Sequence, residues 1–134
     1  MWYPESAVYL SDSINITGGD NITLSVTAFS ANFGQVFILN LTNRQYVIRE
    51  VTSNWSLCKQ DAGWIVEDPS TGKNTGLAPL TNFGSVTFYN AFASNPYGIL
   101  FDPSGAELWD ITQNGKALTQ TSASGSSVTI KYVG

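Results

Sequence analysis

The sequence predicts an all-β protein, an antiparallel β-sandwich, and three observations support this prediction. Apolar and polar residues alternate with a period of two along most of the chain, as in strands with one buried face. No segment has the periodicity of a long helix. The candidate strands are short, and they recur at the spacing expected of a β-sandwich.

The amino-terminal half contains the most regular candidate strands. Residues 22–28 alternate between apolar and hydroxyl-bearing side chains, which predicts a strand with one buried face. The apolar run 36–39, the turn Thr42-Asn43-Arg44 and the segment 46–51 together predict a β-hairpin. Residues 64–67 are expected to form a further strand.

The carboxyl-terminal half is predicted to continue the same pattern. Its segments are a loop at 69–76, strands near 86–92, 99–101 and 108–111, a turn at Asn114-Gly115 before 116–118, and a last strand at 128–133. The Ser- and Gly-rich stretch 122–127 is interpreted as a short loop. Since no repeat or linker interrupts the pattern, residues 1–134 are expected to form a single domain.

The charge balance and the apolar runs exclude several partners. The net charge is -4, and the six Lys and Arg residues are scattered, which argues against nucleic acid as a partner. No apolar run approaches the roughly 20 residues of a membrane helix, so no membrane partner is expected. The start, Met1-Trp2-Tyr3-Pro4, lacks the features of a signal peptide.

Four N-glycosylation sequons favour a secreted protein. They begin at Asn15, Asn21, Asn40 and Asn54 and would be surface sites, although a chain rich in Asn, Ser and Thr contains some sequons by chance. The single cysteine, Cys58, leaves two alternatives. It is either a buried free thiol or a cysteine whose partner lies on a segment outside this chain.

The composition also limits the chemistry. The chain has no histidine, which excludes Ser-His-Asp and Cys-His catalysis and histidine-based zinc sites. It has neither a glycine-rich phosphate loop nor a calcium loop, so no cofactor and no metal are expected. Carboxylate chemistry remains.

The stretch from Trp64 to Asp68 ends an apolar run with two acids. A carboxylate in such a place is costly unless it is paired or used. In a strand, Glu67 shares a face with Ile65, whereas Asp68 shares the opposite face with Trp64 and Val66, so the two acids are not a catalytic pair. If Trp64 and Val66 face the core, Glu67 points outward. The pattern alone also allows a plain solvated strand end.

Several segments, taken in order, resemble the glutamic peptidases, or eqolisins, of peptidase family G1. The resemblance covers essentially the whole chain and the carboxyl-terminal two-thirds of the family domain. The matching segments are Trp2-Tyr3-Pro4, Gly19-Asp20, Leu39-Asn40-Leu41-Thr42, the run from Ser56 through Asp68, and Asn82-Phe83-Gly84-Ser85-Val86-Thr87-Phe88.

This resemblance implies two curved antiparallel sheets of the concanavalin A type, with a substrate groove on the concave sheet. Family members cleave peptide bonds at acid pH with a glutamate and glutamine dyad. Glu67 matches the catalytic glutamate, and Tyr3, Ile65 and Asp68 are candidates for substrate binding. The family glutamine precedes the Trp-Tyr-Pro segment, and none of the five glutamines of this chain matches it.

Three functions from different classes follow. The first is a secreted acid endopeptidase acting on polypeptides, in which an amino-terminal segment or second chain supplies the glutamine and completes the sandwich. The second is a non-catalytic β-sandwich module that binds peptide or carbohydrate. The absent glutamine favours it, as do Gly63 and Pro69, where the family often has a glutamate and an aromatic residue. The sequons and low charge also fit a structural extracellular module.

An incomplete sandwich exposes sheet edges, which favours pairing with another chain. We therefore expect this chain, when studied alone, to dimerise, swap strands or aggregate. Light scattering tests this expectation, and a clean monomer at micromolar concentration would contradict it.

Overall fold

The computed structural model describes residues 10, 13–67 and 79–134. The chain divides into two compact units, Met1–Asp61 and Ala62–Gly134. The described residues contain no α-helix and one three-residue 3-10 helix, Pro103–Gly105, and their other regular elements are strands in antiparallel sheets. The predicted all-β, antiparallel fold class is confirmed.

The first unit contains a three-stranded sheet in the order β1-β2-β3. The strands are β1 (Ile22–Ala28), β2 (Phe33–Asn40) and β3 (Tyr46–Thr52). The turn from β2 to β3 is closed by two main-chain hydrogen bonds, from Arg44 N to Asn40 O and from Asn40 N to Gln45 O, both 2.8 Å long. The predicted strand at 22–28 and the predicted hairpin are confirmed.

The predicted burial of one β1 face is wrong. Leu24 is 56% exposed and Val26 is 80% exposed. The two side chains lie opposite Ile38 and Val36 of β2, so this apolar face of β1 is largely exposed. Alternation in a sequence identifies the apolar face of a strand, but burial also requires a second layer to pack on that face.

The second unit contains a three-stranded sheet in the order β4-β10-β9 and two small two-stranded sheets. In chain order its strands are β4 (Ser85–Phe88), β5 (Ala93–Ser94), β6 (Leu100–Phe101), β7 (Thr112–Gln113), β8 (Lys116–Ala117), β9 (Thr119–Ser124) and β10 (Ser127–Tyr132). β5 pairs with β6 and β7 pairs with β8. The turn at Asn114-Gly115 is confirmed, and both residues have the positive φ of a tight hairpin turn, 51° and 77°.

Other predictions for this unit have mixed outcomes. The strands near 99–101 and 128–133 are confirmed, and the strand predicted at 86–92 is confirmed only as far as Phe88, where β4 ends. The loop at 122–127 is wrong, because β9 continues to Ser124 and pairs with β10 around a two-residue turn at Gly125-Ser126. Neither 64–67 nor 108–111 is a strand. The loop predicted at 69–76 lies outside the described residues.

The core of the second unit is a small apolar cluster on one face of its main sheet. Ala91, Val128 and Ile130 are buried there. The partly buried side chains that pack against them are Trp64, Val66, Phe83, Phe88 and Ala123.

Two further observations concern the surface of the chain. Cys58 is a free and exposed cysteine, so the first alternative for it, a buried thiol, is wrong. Within the part of the chain that the structure describes, no helix is long and apolar enough to cross a bilayer.

Candidate active site

Glu67 belongs to a segment, residues 63–67, in which alternate side chains pack on the core of the second unit. Trp64 and Val66 are partly buried and pack against the apolar cluster of the second unit. Ile65 is 67% exposed, and Glu67 is exposed as well. The segment therefore keeps the two-residue alternation of a strand, with the Trp64 and Val66 side chains on the core side and Glu67 on the solvent side.

Trp64 and Val66 pack on a sheet whose strand register brings apolar side chains together. In β10, Val128 lies opposite Phe88 of β4 and opposite Ala123 of β9, so apolar side chains from three strands share one face. These contacts give the segment a firm base, because close-packed apolar side chains resist displacement.

The turn that leads into β4 adds a further contact to this base. Gly84, at φ 71°, follows an Asx turn in which Asn82 Oδ1 accepts a hydrogen bond of 2.9 Å from Gly84 N. The turn places Phe83 on the cluster and edge-to-face with Tyr132, at 6.1 Å between ring centroids.

The Glu67 side chain is exposed, and among the described residues none forms a hydrogen bond or an ion pair with it. Gly63 lies on the same side of the segment, since a Cβ built on it would be 3.5 Å from Cγ1 and Cδ1 of Ile65. Glu67 and its exposed neighbours thus present a carboxylate beside an apolar side chain and a bare stretch of backbone.

The structure locates only some of the residues that the sequence assigned to the site. It places Glu67 and Ile65 on the solvent side of one segment, as alternation predicted. Tyr3 and Asp68 lie outside the described residues. The catalytic and substrate-binding roles of all four residues stay predictions.

Gln120 can be separated from this site on geometric grounds. It pairs with Lys131, on the face of the sheet opposite to Val128 and Ile130. The Trp64 segment packs against the Val128 and Ile130 face. The sheet therefore lies between Gln120 and Glu67.

Over residues 10, 13–67 and 79–134, no group of three or more Asp, Glu or Cys side chains is placed to hold a metal ion.

A second polar cluster lies in the first unit and is built around Asn40. The Asn40 side chain has no exposed surface. Its Nδ2 donates to Asn15 O at 3.0 Å and to Asp20 Oδ2 at 2.7 Å. Its Oδ1 accepts hydrogen bonds from the main-chain N–H groups of Thr42 and Asn43, at 2.9 and 3.3 Å. All four hydrogen-bonding positions of the amide are therefore occupied.

Asp20 is held ionised by the same cluster. The main-chain N–H of Thr17 and the side-chain amide of Asn40 both donate to its carboxylate, and these bonds lower the pKa of Asp20 below its usual value. The cluster brings together two of the segments on which the family resemblance rests, Gly19-Asp20 and Leu39-Asn40-Leu41-Thr42. The hydrogen bonds of Asn40 hold the turn after β2 against the chain ahead of β1. The two segments therefore have a structural role. From the sequence, Asn40 was expected to be a glycosylation site on the surface. That expectation is wrong, because Asn40 is buried.

Comparison with known proteins identifies the family. The profile of the Peptidase A4 family matches residues 1–132. The chain belongs to the Peptidase A4 family. Two curated relatives are aspergillopepsin-2 of Aspergillus niger, 44% identical over 134 residues, and scytalidopepsin B of Scytalidium lignicola, 31% identical over 138 residues. Both matches cover 98% of this chain, but only 46% and 53% of the relatives. This Peptidase A4 chain thus spans about half the length of the curated relatives it matches.

Solved structures of the same family have the same fold. The crystal structure of aspergilloglutamic peptidase from Aspergillus niger matches with a TM-score of 0.89 and 43% identity, over 99% of this chain and 77% of that one. Scytalido-glutamic peptidase with a peptide based transition state analog matches with a TM-score of 0.87 and 32% identity, over 99% and 67%. SCP-B, an eqolisin in complex with the tripeptide Ala-Ile-His, matches with 0.69 and 26%, over 90% and 63%. The predicted resemblance to the glutamic peptidases is confirmed.

Proposed function

We propose that this Peptidase A4 chain is part of a secreted, glutamic-type acid endopeptidase in which Glu67 is the general acid and base. The observation that carries the proposal is the position of Glu67. It is the acid that matches the catalytic glutamate of the family, and Trp64 and Val66 pack on the core while its carboxylate is exposed. Peptide ligands in two solved relatives support a polypeptide substrate.

In the proposed reaction, the Glu67 carboxylate removes a proton from a water molecule as this water attacks the scissile carbonyl carbon. The protonated carboxyl then donates that proton to the leaving amine as the C–N bond breaks. One proton moves from water to amine, and one C–O bond replaces one C–N bond. A carboxyl with a reference pKa of about 4.3 exchanges protons most effectively in an acid medium, which favours activity at acid pH.

The tetrahedral intermediate carries an oxyanion that needs a hydrogen-bond donor. A preorganised amide supplies such a donor, and removal of one commonly lowers kcat by about 10² to 10³. We propose that the donor is a glutamine outside these 134 residues, from an amino-terminal segment or a second chain. The relatives extend well beyond the matched region, which supports this proposal.

The contacts to substrate are proposed from the same face of the segment. Ile65 offers an exposed apolar side chain two residues before Glu67 and would contact a substrate side chain. Tyr3 and Asp68 are proposed as further contacts on the basis of the family resemblance.

The test is cleavage of a denatured protein at about pH 3 to 4, near the reference pKa of Glu. The protein is expressed with any sequence that precedes Met1 in its reading frame, and fragments are detected by mass spectrometry. We expect fragments from the wild type and from Glu107→Gln, a control that changes another exposed glutamate of the same unit. We expect none above background from Glu67→Gln.

Two outcomes would contradict the proposal. Undiminished cleavage by Glu67→Gln would remove Glu67 from the mechanism. Saturable peptide binding without cleavage by the wild-type protein would instead indicate the non-catalytic binding module.

A further inference from the structure

The four sequons of this chain all lie in the first unit, and the structure divides them into two groups. Asn15, Asn21 and Asn54 are exposed. Asn40 has no exposed surface. The same three-residue motif thus occurs in two opposite environments, although the sequence gives no sign of the difference.

The burial of Asn40 is chemically incompatible with a sugar on its amide. Nδ2 has two hydrogens, and both are used, one for Asn15 O and one for Asp20 Oδ2. An N-linked sugar replaces one of these hydrogens. It would therefore break one of the two bonds and require space where the side chain is fully enclosed.

The exposed sequons do not use their side-chain amides in this cluster. Among the described residues, Asn15 and Asn21 contribute main-chain atoms only. Asn15 N donates to Gln45 Oε1 at 2.9 Å, and its main-chain O accepts from Asn40 and Asn43. Asn21 N donates to Thr42 Oγ1 at 3.0 Å. Sugars on Nδ2 of Asn15 or Asn21 therefore break none of these bonds.

Asn54 is independent of that cluster. It follows the end of β3, and its side chain is exposed. A glycan there also leaves every hydrogen bond of Asn40 intact.

We propose that Asn15, Asn21 and Asn54 are N-glycosylation sites of the folded protein and that Asn40 is not. The donor is a lipid pyrophosphate-linked oligosaccharide, and the transferring enzyme is that of the host secretory pathway. The asparagine Nδ2 attacks C1 of the first N-acetylglucosamine. The N–C1 bond forms, the C1–O bond to the lipid pyrophosphate breaks, and Nδ2 loses one proton. The lipid pyrophosphate is the leaving group.

The test is site occupancy after secretion from yeast behind a host signal sequence. The secreted, folded protein is treated with an endoglycosidase that leaves one N-acetylglucosamine on each occupied asparagine. Peptide mapping then measures the occupied fraction at each sequon. We expect most molecules to be occupied at Asn15, Asn21 and Asn54, and almost none at Asn40. The variants Asn15→Gln, Asn21→Gln and Asn54→Gln should each lower the intact mass by one glycan while secretion continues.

The material retained inside the cell gives a second measurement. Glycans are added before folding is complete, so molecules modified at Asn40 should be found in the retained, misfolded fraction and be absent from the secreted one. A sugar on Asn40 in secreted, folded protein would overturn the proposal. So would an exposed sequon that is unoccupied in most secreted molecules. Neither result depends on peptidase activity, so the proposal can fail without affecting the assignment of Glu67.

Discussion

The replacement of Asn40 by alanine is a sensitive test of how the first unit is held together. The substitution removes four hydrogen bonds at a site with no exposed surface. Each of the three bonds to neutral partners contributes roughly 0.5 to 1.5 kcal/mol, so we expect the free energy of unfolding to fall by about 3 kcal/mol. Loss of the bond to the Asp20 carboxylate adds to this effect.

The assay is urea denaturation at neutral pH, followed by tryptophan fluorescence and circular dichroism. A loss of about 3 kcal/mol lowers the midpoint by about 2 M urea for a small protein. The matched control is Asn54→Ala, which truncates an exposed asparagine of the same unit and should change the free energy by less than about 0.5 kcal/mol.

A second variant separates the hydrogen bonds from the volume of the side chain. Asn40→Asp keeps the shape but replaces the Nδ2 donor with an oxygen that faces Asp20 Oδ2 and Asn15 O. Two acceptors then meet at each contact, and we expect this variant to be at least as unstable as Asn40→Ala at neutral pH. The reasoning would be refuted if either Asn40 variant unfolded at the same urea concentration as Asn54→Ala.

Three further predictions concern residues that stabilise the two units. Asp20→Asn should lower the urea midpoint at neutral pH, and the difference from the wild type should shrink as pH falls below about 4, because a carboxyl with a lowered folded-state pKa stabilises the protein only while it is ionised. Gly34→Ala should destabilise the protein by about 1 to 3 kcal/mol, since the new Cβ would lie 2.8 Å from the main-chain O of Thr27. Val128→Ala should cost about 2 kcal/mol, because Val128 is 4% exposed in the apolar cluster.

Each of these predictions has a control or a contradicting result. A constant difference between Asp20→Asn and the wild type down to strongly acid pH would contradict the role of the Asp20 charge. Gly18→Ala, where a Cβ meets no atom within 4 Å, should be better tolerated than Gly34→Ala. Val133→Ala, at a residue that is 48% exposed, should change the free energy by less than about 0.5 kcal/mol. Equal effects within either pair would contradict the packing argument. Urea titrations measure all of these differences.

The local pattern of polar and apolar residues was sufficient to predict those strands and turns in which the two kinds of residue contrast strongly. β1 was predicted because residues 22–28 alternate without interruption, and the hairpin because two apolar runs flank a polar turn. The outward direction of Glu67 followed from the same rule, since Trp64 and Val66 are large enough to anchor one side of the segment. β9 was missed because it consists of Thr, Gln, Ser and Ala, which give little contrast between its two faces.

The environment of a residue was harder to predict when distant parts of the chain determine it. Asn40 is buried because Asp20 and Asn15, far away in sequence, converge on its amide, and no property of the triplet Asn40-Leu41-Thr42 reveals this. The exposure of Leu24 and Val26 likewise depends on whether a second layer covers β1. The alternation of β1 itself contains no information about that layer.

The most direct test of the catalytic assignment is a measurement of kcat/KM for one peptide substrate. The assay is run at about pH 4, which is near the reference pKa of a glutamate side chain. The measurement compares the wild type, Glu67→Gln and the control Glu107→Gln, each expressed with any sequence that precedes Met1 in its reading frame. If Glu67 is the general acid and base, its replacement should lower kcat/KM by about 10² to 10⁴, and the control should match the wild type. A Glu67→Gln protein as active as the wild type would contradict the assignment.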